Sequence, residues 1–138
     1  RILSGPGIVN LYEALCQING KEKVYKLPIE ITAAAIKKGS DPIADETIQM
    51  FCKIFGSVAG SMALTVGALG GVYITSDLVK NFLDIFVESD FQKSFENKGR
   101  LTSVLQDTPV YLSKKKNMGL IGTVYEINNY WMQKGFKV

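Results

Sequence analysis

Histidine is missing from all 138 residues. That removes Ser–His–Asp and Cys–His catalytic systems from this chain. The same gap, with no clustered cysteines, argues against zinc and other transition metals. Only two cysteines occur, Cys16 and Cys52. Each falls inside an apolar helical pattern, and both read as buried free thiols suited to a reducing compartment. Charge of one sign is scarce as well, with a net charge of only +3. Lys114, Lys115 and Lys116 form the one dense basic run. No aromatics interleave with it, so it reads as a solvated loop rather than a nucleic-acid surface. No apolar run approaches the length of a membrane span. Residues 57–72 come closest, but they are rich in Gly, Ala, Ser and Thr. No signal peptide is visible. The first residue is Arg rather than Met, so the chain is expected to have been cut from a longer one.

What is present is a hydrophobic content of 46%, ordinary for one domain or part of one. The organising stretch is 55–77, FGSVAGSMALTVGALGGVYITSD. It opens as a small-residue helix with Gly56, Gly60 and Ala63 spaced for close packing. It passes through Gly67, Gly70 and Gly71 and ends in a short apolar run, 72–75, read as a buried strand. A helix, 78–88, follows with Val79, Phe82, Leu83 and Phe86 on its apolar face. Helix, glycine turn, strand and helix describe the centre of an α/β layer. Ligands in such layers sit beyond the carboxyl end of a strand, here near Thr75, Ser76 and Asp77. Ser76 or Asp77 can cap the helix.

Around this centre the spacing predicts more helices than strands. Gly5, Pro6 and Gly7 open a helix whose apolar positions are Ile8, Leu11, Tyr12, Leu15 and Ile18, stopped by Asn19 and Gly20. A loop over 21–27 leads to a helix over 28–37, with Ile31, Ala34, Ala35 and Ile36 inward. Lys37 and Lys38 suit its C-terminal end, and Gly39 closes it. Asp41 caps a long helix from Pro42 to Val66, whose second half, apolar nearly all round, is expected to be buried on most sides. Residues 90–96 give a helical turn with Phe91 and Phe95 inward. Lys98, Gly99 and Arg100 form a basic, solvated turn. Leu101, Val104 and Leu105 make a short helix, and 109–113 a second strand. A final helix starts at 118–122, with Ile121, Tyr125, Ile127 and Trp131 as its inner face. Two strands make a marginal sheet alone, so the rest of the sheet is expected upstream or in a partner chain.

Taken in order, these segments resemble a family. Residues 4–12, SGPGIVNLY, resemble the SGPGLVNLY segment of bacterial hexose kinases of the glucokinase family. Met50-Phe51-Cys52 and Met62-Ala63-Leu64 continue the match. Residues 70–74 are similar to the family's adenosine-side strand, and 91–100 to its FxxxFExKGR stretch. Residues 109–112 and 119–122 also fit. The series covers essentially the whole chain in order.

The resemblance implies a helix-rich C-terminal portion of an actin-like ATPase (ribonuclease H-like) large domain, α/β with few strands, over 1–138. The N-terminal lobe, the DxGGT phosphate loop, the catalytic Asp of an Asn–Asp pair and the sugar-binding Glu would all lie outside it. It implies ATP-dependent phosphorylation of glucose to glucose 6-phosphate in glycolysis, with Mg²⁺, by a cytoplasmic parent enzyme. The piece alone would be inactive and would hold no catalytic, sugar-binding or metal residue. Glucose and ATP or ADP would be the parent's partners, without nucleic acid or membrane, and a homodimer is open. The residues implied on the nucleotide side are Gly70, Gly71, Thr75, Ser76, Asp77, Gly119 and Gly122. Gly70 and Gly71 could instead serve a tight turn, and Gly119 and Gly122 the packing of a helix start. Ser76 and Asp77 depart from the family's Gly-Gly, adding two Cβ atoms and a charge where backbone usually approaches nucleotide. Asp77 could reach a ribose hydroxyl or simply cap a helix. The departure also leaves open a non-catalytic sugar- or nucleotide-sensing protein with the same fold.

Overall fold

The computed structural model describes residues 2–37, 39–115 and 117–134. Arg1, Lys38 and Lys116, each named above, lie outside them. Three helices form the first half. In α1 (Gly5–Ile18), the Ser4 hydroxyl accepts from the Gly7 amide at 3.1 Å, and Pro6 sits in the first turn where no N–H partner is needed. In α2 (Pro28–Ile36), the Glu30 carboxylate reaches back to accept from the amides of Lys26 and Leu27, both at 2.9 Å. In α3 (Pro42–Val66), Asp41 Oδ1 accepts from Ile43 N at 2.8 Å, and Gly67 closes the helix in the left-handed conformation at φ 65°. The three pack on one another through Ile8, Tyr12, Ile31, Ile48 and Cys52, all buried.

Two expected core positions fall outside. Ile18 is 79% exposed and Ile36 is 52% exposed. Cys16 takes the inward position in the last turn of α1, and Thr32 takes one on α2, its hydroxyl donating to Ile29 O. A Thr with its hydroxyl satisfied locally can be buried as an apolar group would be.

In the second half, strand β1 (Val72–Ile74) is followed by α4 (Asp77–Lys80), α5 (Leu83–Glu88), α6 (Phe91–Glu96), a 3-10 turn (Gly99–Leu101), α7 (Thr102–Gln106), β2 (Val110–Leu112) and α8 (Met118–Gln133). Helices α5, α6 and α7 pack on α3. Helix α6 crosses α3 at Gly56 and Gly60. A Cβ on Gly56 would stand 2.1 Å from Phe91 O, and one on Gly60 2.2 Å from Phe95 O. The small-residue spacing therefore serves tight helix–helix contact. An aromatic cluster fills the junction: Phe51 meets Phe82 edge-on at 6.0 Å, and Phe55 meets Phe91 at 5.4 Å.

Here the structure corrects five expectations. The helix over 78–88 is broken at Phe82, whose φ of −136° is not helical; Phe82 instead packs against Phe51. The second half of α3 is buried on one side only, with Met62 64% and Val66 75% exposed, because α6 covers just the glycine face. Strand β1 ends at Ile74 and is not buried throughout: Tyr73 stacks on Tyr111 at 4.9 Å on an open face. Among the described residues helix α8 buries none of its side chains, so the inner face expected of Ile121, Tyr125, Ile127 and Trp131 is exposed. Leu101 likewise lies in the 3-10 turn rather than in α7, and Leu105 carries the burial there. Helix α3 is also long and apolar enough over one window to cross a bilayer by length and composition alone; 44% of that window is buried in the fold.

Candidate functional site

Strands β1 and β2 pair in parallel, with Val72 opposite Val110, Tyr73 opposite Tyr111 and Ile74 opposite Leu112. Parallel strands end at the same edge. Two segments therefore leave side by side: 75–76 into α4 and 113–115 toward α8. The Ser113 amide donates to Ile74 O at 2.9 Å, which holds the two exits together. This edge is the carboxyl end of the sheet, where α/β folds collect ligands.

Five of the seven residues singled out from sequence sit at this edge or on the helices that leave it. Thr75 is exposed directly after β1. Ser76 caps α4, its hydroxyl accepting from Val79 N at 3.3 Å, so the cap belongs to Ser76 and not to Asp77. Asp77 opens α4, and its Oδ1 accepts from Lys80 Nζ at 2.8 Å. Gly119 and Gly122 lie in the first two turns of α8. A Cβ at either would meet nothing within 4 Å. Asn117, left-handed at φ 56°, precedes α8 and gives no side-chain cap. The first amides of this sixteen-residue helix lack intrahelical partners and take no side-chain cap from Asn117, a setting that suits an anion.

Gly70 and Gly71 stand at the other end of β1. Gly71 has φ 127°, and a Cβ there would lie 3.1 Å from Pro109 O and from Tyr111 Cε2. It lets β2 start against β1, and Val72 N donates to that same Pro109 carbonyl at 2.9 Å. Gly70 has open space around it. The strand thus divides the seven residues into two groups rather than bringing all of them together.

Alongside β1 runs an apolar groove of about 450 Å³. Phe55, Val58 and Met62 of α3 line one wall; Val72, Thr75 and Ser76 line the other. Its lining is mostly apolar, so it suits a flat or hydrophobic body rather than a free charge.

Sequence reasoning missed the polar contacts of three side chains, those of Lys80, Lys98 and Tyr12. Lys80 Nζ donates to Asp77 and also to the carbonyl of Lys115, a residue in the loop before α8. The three-residue spacing of Asp77 and Lys80 signals the ion pair; nothing local signals the Lys115 contact. Lys98, read as a solvated residue, donates through Nζ to Ser57 O at 2.7 Å and Ser57 Oγ at 3.0 Å. Tyr12 donates to Asp41 Oδ2 at 2.9 Å, joining α1 to the cap of α3. Burial, and then the bond to Asp41, push the Tyr12 hydroxyl well above its ordinary value. Burial also pushes the Cys52 thiol up to about 11, against a smaller opposing effect of Ser89. Both Cys16 and Cys52 are buried free thiols.

The family model described as Glucokinase matches residues 1–130. The chain is 44% identical over 129 residues to the glucokinase of Hahella chejuensis, covering 94% of this chain and 40% of that protein. It is 42% identical over 129 residues to the glucokinase of Marinobacter nauticus, with the same coverage of each. Among solved structures, that of glucokinase from an Antarctic psychrotroph superposes with a TM-score of 0.83 at 34% identity, over 93% of this chain and 39% of that one. The chain spans about 40% of the length of the curated relatives it matches.

Proposed function

The chain belongs to the glucokinase family, and from that premise we propose that its protein transfers the γ-phosphoryl group of ATP to the 6-hydroxyl of glucose. We propose further that residues 1–138 form the C-terminal part of the larger lobe and supply part of its nucleotide side. The observation that carries this reading is the shared edge of the parallel strand pair. Thr75, Ser76 and Asp77 leave it on one side, and the uncapped first turn of α8 with Gly119 and Gly122 lies on the other. In the proposal, these five residues face the nucleotide. Gly70 and Gly71 act at one remove, by seating β1 against β2.

The chain's residues fit such a group. The first-turn amides of α8 would take phosphate oxygens, and the groove beside β1 would take an apolar ring system. Among the described residues, no three potential metal ligands converge. Mg²⁺ would therefore be carried by the phosphates and by groups outside this chain. The nucleotide supplies the transferable phosphoryl group; the chain's part is to bind and orient it. The proton acceptor for the glucose hydroxyl, and the sugar contacts, are assigned to residues outside 1–138.

Ser76 and Asp77 gave the alternative of a non-catalytic sensor its support. That support is weaker once both side chains have structural partners: the Ser76 hydroxyl is engaged in capping and the Asp77 carboxylate is paired with Lys80. Two buried free thiols agree with placing the protein in the cytoplasm. Exposed apolar side chains on α8 and the distal part of α3 make self-association of the isolated chain part of the proposal.

The test is glucose 6-phosphate formation by the complete polypeptide with ATP, Mg²⁺ and glucose. Turnover supports the reading. Well-folded protein that binds ADP and glucose without turnover, other hexoses included, would move the assignment to a sensor. Residues 1–138 alone are expected to show no turnover, and measurable kinase activity from them would overturn the division of labour proposed here.

A further inference from the structure

Lys80 holds a position that the functional reading does not use. Its side chain is only 15% exposed, whereas that of its partner Asp77 is 69% exposed. A lysine more enclosed than its acid is held along its length rather than extended into water. The ammonium has three donors. One goes to Asp77 Oδ1, on its own short helix, and another to the carbonyl of Lys115, across the sheet edge in the loop before α8. That loop is pinned at its start, where Ser113 N meets Ile74 O, and turns into α8 through the left-handed Asn117. Lys80 supplies a tie between these two points.

We propose that Lys80 is a positioning residue for nucleotide: its ammonium binds the loop after β2 to the turn after β1, and so sets the spacing between Thr75 and Ser76 and the first turn of α8. In this arrangement Asp77 has a constructive role. It orients the ammonium toward the Lys115 carbonyl and has its own charge neutralised. The inference rests on the nucleotide side proposed above.

The test uses the complete protein with Lys80→Met, Lys80→Arg and the double variant Asp77→Asn/Lys80→Met. Two measurements are made: hydrogen exchange of the 113–122 amides without ligand, and calorimetric binding of ADP. Lys80→Met is expected to speed exchange across 113–122. It should weaken ADP about tenfold or more, the scale of one lost charge-assisted hydrogen bond. KM for ATP should rise in step, with kcat and KM for glucose unchanged. Arginine, which can also bridge a carboxylate and a carbonyl, should restore ADP binding. The double variant also removes the Asp77 charge that Lys80→Met leaves unpaired, so ADP binding is expected to stay weak without the reach to Lys115; recovery to the wild-type level would trace the loss to that charge and overturn the tie. Unchanged exchange at 113–122 would overturn the tie. Faster exchange with unchanged ADP affinity would overturn the positioning role, as would a parallel loss of kcat, glucose affinity and melting temperature. Wild-type protein that binds no ADP would defeat the functional reading itself, a result distinct from wild type and Lys80→Met binding ADP equally well.

Discussion

At Gly56 and Gly60, one methyl group decides whether α3 and α6 can meet. Each added Cβ would run into a backbone carbonyl of α6, which has no rotamer through which to yield. Gly56→Ala or Gly60→Ala is therefore expected to lower stability by about 1–3 kcal/mol or more, read as a fall in the urea midpoint. Gly122→Ala is the contrasting case. Space around it is open, and alanine favours a helix by up to about 1 kcal/mol, so stability should hold or rise. Tyr12 and Cys52 bear on alkaline behaviour. Both keep their proton longer in the folded chain than in the unfolded one. The stability Cys52 carries is whole below about pH 9 and is lost as pH rises through about 11, whereas that of Tyr12 is whole below its ordinary value of 10.0 and is lost only at still higher pH. Thermal melts between those limits should show a falling melting temperature, with a shallower fall in Cys52→Ala. A melting temperature that is flat in the parent protein would contradict this. Glu30 and Asp90 act at the acid end, where backbone amides and Lys53 respectively hold their carboxyls below the ordinary range. Their contribution is present at neutral pH and disappears as they protonate.

The helix α3 depends on its N-terminus more than its length suggests. Asp41 caps it through Oδ1 and accepts the Tyr12 hydroxyl through Oδ2, so one carboxylate serves two elements. Tyr12→Phe removes a hydrogen bond to a charged group and should cost about 1.5–3 kcal/mol. A Tyr12→Phe/Asp41→Asn cycle should be non-additive, since both changes strike one bond; additive losses in denaturant titration would refute the shared contact. No local pattern reveals this pair, because 29 positions separate its members. The helices themselves were legible. Pro6, Pro28 and Pro42 mark three starts, and Asn19 and Gly67 mark two stops by local rules, whereas α2 ends at Ile36, ahead of the Gly39 expected to close it. The break at Phe82 was not legible, since neither Gly nor Pro announces it and packing on Phe51 accompanies it. Nor was the fate of α8. Its apolar residues are plain in the sequence, but what they face depends on contacts that local patterns do not encode. The edge after β1 could be found from strand and turn signals. The partners of Ser76 and Asp77 there, and the reach of Lys80 to Lys115, needed three dimensions.

In the whole molecule, the first half is tied by near neighbours and the second by distant ones. Helices α1, α2 and α3 follow one another in sequence and pack together, whereas β1 must wait for β2 across α4 to α7. A ribosome delivers β1 long before the strand that pairs with it. Until then Tyr73 and the backbone edge of β1 stand open on the nascent chain, while the preceding helices can already settle. Closing that long loop delays the reward of pairing, so parallel strands tend to form late and leave a period of exposure to misassembly. Pulse-labelling during refolding should find amides of α1 to α3 protected before those of 72–74 and 110–112. The edge that brings the two loops together would then be among the last parts to form, which makes the birth of this protein, as well as its action, depend on the meeting of two three-residue strands.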